Sequence, residues 1–261
     1  MMQWYRGSAS LQGTSHISTN TPCQDAHKMC ILREHLIVAV SDGMGSAKYS
    51  HHASQLVVRT VVAHLNRHLE RKRLYFLRRN TIVRRFFPIK YDKILRDACK
   101  HARDELVARA QRKQHNLRDY ACTLVVALVA PDGWHVIHIG DGAAVGFRDA
   151  TAPVTLSRPS NGEYANSTSP LTATDWANHL RYSRGNDALH ALAVFSDGIQ
   201  NLCINHQTGD AYPGFFVPIL TWFKGLPAGA KYDVACQQFL DSPQIRQKSD
   251  DDLTLVVAWR R

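Results

Sequence analysis

Carboxylates recur in this chain at one kind of place, the end of an apolar run. In Leu36 to Ser46, LIVAVSDGMGS, branched residues stop on Asp42-Gly43. In Ala191 to Gly198, ALAVFSDG, the same stop falls on Asp197, and in Trp134 to Gly142, WHVIHIGDG, on Asp141. Ser249 to Trp259, SDDDLTLVVAW, reverses the order, with Asp250, Asp251 and Asp252 ahead of the apolar run. One Asp-Gly after a strand is an ordinary turn. Acidic ends on several strands point instead to a shared site. Gly43 allows a turn tight enough to set its carbonyl beside the Asp42 carboxylate, an oxygen-rich corner.

If Asp25, Asp42, Asp197 and Asp251 share a pocket, each close pair repels by about 4 kcal/mol at a separation of about 4 Å. Two divalent cations offset that repulsion. Ligation by oxygen alone selects hard ions, Mg²⁺ or Mn²⁺ rather than Zn²⁺. Two such ions about 3.5 to 4 Å apart share a bridging carboxylate and a water whose lowered pKa makes it a hydroxide nucleophile. In-line attack on phosphorus is the natural use, with the cations neutralising the phosphoryl oxygens.

The elements that must position these acids are legible from periodicity. Gln3 to Leu11, Lys28 to Leu32 and Leu36 to Val40 predict strands, the third buried on both faces. From Ala47 to about Leu69, the residues Leu56, Val57, Val61, Val62, Leu65 and Leu69 recur at helical spacing; Leu95, Ala98, Ala102, Leu106 and Ala110 do so within Asp92 to Lys113. Cys122 to Ala130 and Trp134 to Ile139 flank Pro131-Asp132-Gly133 as a hairpin. Short strands at Val145 to Phe147 and Val154 to Leu156 follow. Arg158 to Gly185 is polar and without period, a connecting loop or a flap beside a site. After a strand at Ala191 to Phe195 come a loop with Pro213, Gly214 and Pro218, a helix around Tyr232 to Leu240, and a last strand. Strands at both ends with two long helices together in the middle argue against βαβ alternation. They predict an α+β sandwich of antiparallel sheets with helices packed outside.

The chain has 261 residues and 44% hydrophobic content, enough for a sizeable core in one large domain or two small ones. The start, MMQWYRGSAS, has no apolar leader, and the longest apolar run, Cys122 to Ala130, is too short to cross a bilayer. A soluble, cytoplasmic protein is expected. The six cysteines show no CxxC spacing, which fits free thiols in a reducing compartment. The net charge of +10 is local: Asn66 to Lys93 holds ten Lys or Arg against Glu70 and Asp92, eight of the ten net charges. This amphipathic basic stretch suits a nucleic-acid, anionic-membrane or acidic-partner surface, or a helix extension with solvated charges. No nucleic-acid motif accompanies it, so nucleic acid is not an expected partner.

Taken in order, the segments Cys23-Gln24-Asp25-Ala26, Ser41-Asp42-Gly43-Met44-Gly45-Ser46, Gly140-Asp141-Gly142, Gly162-Glu163-Tyr164-Ala165-Asn166 with Thr168, Ser196-Asp197-Gly198-Ile199 and Asp251-Asp252-Leu253-Thr254 run from about Gly7 to Trp259. In these motifs the chain resembles the metal-dependent protein Ser/Thr phosphatases, the PPM or type-2C family, and their compact bacterial branch in particular. The resemblance implies one domain over residues 1–261, a four-layer α-β-β-α sandwich of two antiparallel sheets flanked by helix pairs. It implies a flap at about 158–185, and the basic stretch at about 66–93 would be a helical insertion in that domain. Asp42 would bridge two Mg²⁺ or Mn²⁺ ions, Asp197 and Asp251 would complete the first ion's shell, the Gly43 carbonyl would ligate the second, and Asp25 would hold the second through water. Asp141 is the candidate for a third ion.

Three departures stand out. Asn20 occupies the position, five residues before Asp25, where many members carry a phosphate-gripping arginine; His16, Arg6 and Lys48 are the candidate substitutes. Gln24 stands where some members carry a metal-proximal Glu, and Asn201 replaces an acid often found four residues after Asp197. The resemblance implies a monomer acting on phosphoserine and phosphothreonine in proteins, opposite a Ser/Thr kinase. The alternative is a pseudophosphatase or adaptor that docks a phosphoprotein or kinase through the basic stretch.

Overall fold

Strands whose residues are apolar almost without interruption need burial on both faces, and the fold supplies it. In this computed structural model the described residues are 3–77, 89–149, 151–160, 168–227 and 229–260. Among them run the strands β1 (Trp4–Leu11), β2 (Ala26–Leu32), β3 (His35–Ser41), β4 (Leu124–Ala130), β5 (Gly133–Ile139), β6 (Ala143–Phe147), β7 (Pro153–Ser157), β8 (Arg181–Gly185), β9 (Ala191–Phe195) and β10 (Leu253–Arg260). They form two five-stranded sheets, ordered β1-β10-β9-β6-β7 and β2-β3-β4-β5-β8. Every pairing is antiparallel.

The period-two alternation of strand side chains sorts the core into layers. On β3, Leu36, Val38 and Val40 face the other sheet, joined there by Val125, Ala127 and Val129 of β4 and by Val256 and Ala258 of β10. The opposite faces of β3 and β4, with Ile37, Ala39, Leu124, Val126 and Leu128, pack against helices α2 (Ser50–Leu77) and α3 (Tyr91–Lys113), following α1 (Thr14–Ser18). The outer face of β10, with Leu253, Leu255, Val257 and Trp259, packs against α4 (Pro213–Gly225) and α5 (Tyr232–Leu240). The architecture is therefore the α-β-β-α sandwich that the motifs imply.

Two elements depart from the sequence reading. The segment 158–185 contains an edge strand, β8, whose RYSRG is half-buried at best and so carries no apolar alternation. The loop expected around Pro213 and Pro218 is helix α4. Pro213 sits in its first turn, where a missing N–H costs nothing, while Phe216, Ile219, Leu220 and Phe223 bury one face strongly enough to tolerate Pro218 inside. The two long helices otherwise fall as the periodicity predicts, with α2 continuing to Leu77. Part of the basic stretch is thus a helix extension, and on α3 Lys93 pairs with Asp97 and Arg96 with Asp92. Its centre, 78–88, lies outside the described residues, as does the 161–167 portion of the flap with its Gly-Glu-Tyr-Ala-Asn motif. All six cysteines are free. Among the described residues no helix is long and apolar enough to cross a membrane.

Candidate metal centre

Antiparallel pairing explains why the acids follow some strands and precede others. Ala26 lies opposite Ser41, Leu124 opposite Ile139, Ala143 opposite Phe195, and Leu11 opposite Leu253. The starts of β2 and β10 and the ends of β3, β5 and β9 therefore share one edge of the sandwich. Asp25, Asp42, Asp141, Asp197 and Asp251 are the residues placed there by those ends.

A cavity of about 370 Å³ opens at that edge, lined by Asp42, Gly43, Asp141, Asp197 and Asp251 together with His16, Gln24 and Thr168. One carboxylate oxygen each from Asp42, Asp141 and Asp197 lie within 4.8 Å of one another. Asp25 does not line the cavity; it is buried beside it. The backbone of Asp42 is fixed from the residue before β4: the Thr123 amide donates to the Asp42 carbonyl at 2.8 Å, and the Asp42 amide donates to the Thr123 hydroxyl at 3.1 Å. Gly43 is dictated by close approach, since a Cβ there would stand 2.8 Å from the Gln24 carbonyl oxygen and from Ser50 Cβ. Gly198 is dictated likewise, its Cβ position lying 2.0 Å from the Asp252 carbonyl oxygen.

Without cations these acids resist ionisation. Burial, then the charges of Asp25, Asp197, Asp141 and Asp251, push the Asp42 carboxyl well above the usual carboxylate range. Burial is also the main cause at Asp25, raised to about 7 even though the Ser196 hydroxyl donates to its Oδ2 at 2.6 Å. Asp197 is pushed up to about 8, by burial first and then by Asp141 and Asp251. Asp251 rises too, chiefly through burial. Buried Oδ1 atoms of Asp25 and Asp141 and the buried Oε1 of Gln24 have no hydrogen-bond partner among the described residues. Orphaned acceptors and mutually raised carboxyls are what an oxygen-ligated hard cation would relieve. The residues present therefore fit a hard divalent metal.

Sequence reasoning missed the residues that hold the acids in place. Both Ser-Asp-Gly repeats contain the signal. Ser41 donates to the Thr123 carbonyl at 2.6 Å and Ser196 donates to Asp25, so each serine turns inward beside its aspartate. Thr168 donates to Asp141 Oδ2. Asp252, the last of the acidic run, is almost wholly buried and receives the Gly13 amide at 2.7 Å, the Gln24 amide at 2.5 Å and His16 Nδ1 at 2.9 Å. With His16 and Asp251 it forms a second group whose ligand atoms lie within 4.8 Å of one another.

Of the three proposed substitutes for a phosphate-binding arginine, the structure brings only His16 to the cleft. Arg6 is a correction: it lines a separate cavity with Tyr5, Tyr232 and Asp233, because it lies five residues along β1 from the strand end at Leu11. Lys48 is exposed and outside the cleft lining, with its Nζ 5.3 Å from the Tyr49 ring centroid. Asn201 also stays outside that lining and bonds His206 Nε2 at 2.6 Å.

Comparison with known proteins agrees with this geometry. The family profile of protein phosphatase 2C matches residues 12–230. The chain is 32% identical, over 98% of its length and 98% of the relative's, to serine/threonine-protein phosphatase 3 of Escherichia coli strain K12. Its fold resembles the serine/threonine phosphatase PstP/Ppp of Mycobacterium tuberculosis, at 17% identity and a TM-score of 0.62, covering 99% of both chains. A second solved structure, the catalytic domain of PstP in complex with two manganese ions, matches at 18% identity and a TM-score of 0.62, covering 100% of this chain and 99% of that one.

Proposed function

The chain belongs to the protein phosphatase 2C family and is a serine/threonine-protein phosphatase, and we propose that it hydrolyses phosphoserine and phosphothreonine in proteins at the acidic cleft, with water as nucleophile. The observation that carries this reading is the convergence of Asp42, Asp141 and Asp197 oxygens within 4.8 Å, beside Asp251 and the buried Asp25. The PstP catalytic domain is described as a complex with two manganese ions. By likeness, Asp42 would bridge two Mn²⁺ or Mg²⁺ ions, Asp197 and Asp251 would complete one shell, and the Gly43 carbonyl and Asp25, through water, would serve the other. Asp141 would take a third.

Bound there, such ions lower the pKa of water and neutralise phosphoryl oxygens. The rest falls to the chain. Thr123 locks the Asp42 backbone, Ser196 holds Asp25, and Thr168 orients Asp141. Left unneutralised, these carboxylates would repel a substrate phosphate, so the cleft needs its cations before it can take one. We read residues 1–261 as one domain, supported by the pairing of β1 with β10 along its whole length. The basic helical segment at about 66–93 and the flap at about 158–185 would border it, the flap bearing on substrate choice, in a cytoplasmic monomer that opposes a Ser/Thr kinase. An adaptor without catalysis offers no physical reason to hold three carboxylates together against their repulsion.

The test is hydrolysis of an aryl phosphate and of a phosphothreonine peptide with Mn²⁺, with and without chelator, by the native chain and Asp42→Asn. Metal-dependent activity in the native chain alone is the expected result. Activity indifferent to chelation, or equal in the two proteins, removes the two-cation mechanism.

A further inference from the structure

Hydrolysis of a phosphoserine or phosphothreonine ester expels an alkoxide, a strong base, whereas an aryl phosphate expels a stabilised phenolate. The first reaction gains from a proton donor near the leaving oxygen and the second gains little. Among the described residues lining the cleft, His16 carries the one imidazole, the side chain best suited to pass a proton near neutrality. Its setting is built rather than incidental. The α1 turn is clamped to the end of the acidic run by the Ser15 amide and hydroxyl, which donate to the Asp250 carbonyl at 3.0 and 2.7 Å.

The ring itself is fixed by Asp252, whose Oδ1 accepts from His16 Nδ1 at 2.9 Å and from the Gly13 amide at 2.7 Å. The Asp252 side chain is 2% exposed and that of His16 17%, so the carboxylate is sealed while the imidazole remains reachable from the cleft. With Nδ1 committed to Asp252, Nε2 is the ring nitrogen left to exchange a proton. A histidine oriented by a buried carboxylate beside a phosphoryl-transfer cleft has the arrangement of a general acid.

We propose that His16 is the general acid of the hydrolysis, with Asp252 its positioning residue; this rests on the phosphatase reading above. As water oxygen bonds to phosphorus, the bond from phosphorus to the seryl or threonyl oxygen breaks and its electron pair stays on that oxygen. That oxygen takes the Nε2 proton, the alcohol leaves, and the neutral imidazole regains a proton from solvent.

The experiment measures kcat on a phosphothreonine peptide and on an aryl phosphate at saturating Mn²⁺ for the native chain, His16→Ala, His16→Gln and Asp252→Asn, each checked for folding by circular dichroism. For both His16 variants the loss on the peptide should be on the order of 10²-fold or more, the scale of general-acid catalysis. It should exceed the loss on the aryl phosphate by at least about tenfold, with the half-saturating Mn²⁺ concentration held. His16→Gln can still donate to Asp252, so it covers the case in which His16→Ala fails to fold. Asp252→Asn should show the same preference for the aryl substrate in weaker form, which a merely structural role would not produce. Equal losses on the two substrates, or a shifted Mn²⁺ requirement of the kind a metal ligand gives, overturn the proposal while leaving the phosphatase reading intact. A native chain inactive on both substrates overturns the phosphatase reading and this proposal with it.

Discussion

Two carboxylate neighbourhoods lie side by side at the same sheet edge and are built on opposite principles. Around Asp42, Asp141 and Asp197 the neighbouring charges are other acids within 4.8 Å, and burial with mutual charge pushes Asp42 and Asp197 far up. Around Asp252 the nearest groups are donors: the Gly13 and Gln24 amides and His16 Nδ1. Asp251 and Asp252 are adjacent in sequence, yet one lines the cleft and the other is sealed in N–H groups. Both residues precede β10, and a carboxylate oxygen of each still lies within 4.8 Å of the other beside His16, so what separates them is the donors each one meets. An acid supplied with donors stabilises the fold as it stands, while acids that face one another cost stability until cations arrive.

The largest expected effect breaks the first neighbourhood. Asp42→Asn should lower Mn²⁺-dependent hydrolysis by about 10³-fold or more, the scale for losing a group that stabilises charge at a reaction centre. The same change should raise the melting temperature of the metal-free chain, because it deletes a carboxyl that burial, and then the charges of Asp25, Asp197 and Asp141, force to hold a proton that the unfolded chain releases near neutrality. Asp252→Asn should act with the reverse sign. Loss of the charge-assisted acceptor destabilises by about 3 kcal/mol, a drop on the order of 5–10 °C for a chain of this size, with or without Mn²⁺. If both variants move the metal-free melting temperature in one direction, the contrast between the neighbourhoods fails.

The pH dependence sharpens the contrast. From the usual value of 3.8, Asp25 is raised to about 7 and Asp197 to about 8 in the folded chain. Between those values the folded state binds protons that the unfolded state has released, so stability falls as pH rises. The stability they contribute is full below about pH 4 and lost as pH passes through about 7 and 8. Melting of the metal-free chain should therefore move downward between pH 5 and 8, a window inside that range. Saturating Mn²⁺ should flatten the decline, since cations bind the ionised carboxylates. A metal-free melting temperature that climbs across this window contradicts the arrangement.

Asp42, Asp141 and Asp197 were legible from sequence because each sits where an apolar run meets Asp-Gly, and Asp251 because an acidic run meets the apolar run of β10. Buried strands with continuous apolar residues, and helices with a 3.6-residue stripe, were legible for the same reason. What escaped notice had no such boundary. Strand β8 is a polar edge strand, and α4 hides its periodicity behind Pro213 and Pro218. The donor side of the cleft escaped too, because backbone amides such as those of Gly13 and Gln24 have no sequence signature. Asp252 read as one more member of an acidic run, and only three-dimensional packing separates it from Asp251. Arg6 is plausible by charge alone; its place five residues from the strand end carries it to another cavity.

The smallest expected effect concerns a side-chain hydroxyl that crosses between the two principles. Thr168 donates to Asp141 Oδ2, leaving the buried Oδ1 of Asp141 without a partner. A hydroxyl there does for Asp141 in miniature what three N–H groups do for Asp252, fixing the carboxylate without neutralising its charge. Removing it frees the carboxylate to rotate while leaving Asp42 and Asp197 in place. Outer-shell partners of this kind are worth about 10- to 100-fold in metal affinity or activity, and a neutral partner to one peripheral acid should fall at or below the low end. Thr168→Val should raise the half-saturating Mn²⁺ concentration for hydrolysis by about tenfold or less, and Thr168→Ser should restore it. A loss as large as that of Asp42→Asn would mean that Asp141 belongs to the central pair of ions, and the boundary between the acid-facing and donor-facing halves of the cleft would have to be redrawn around it.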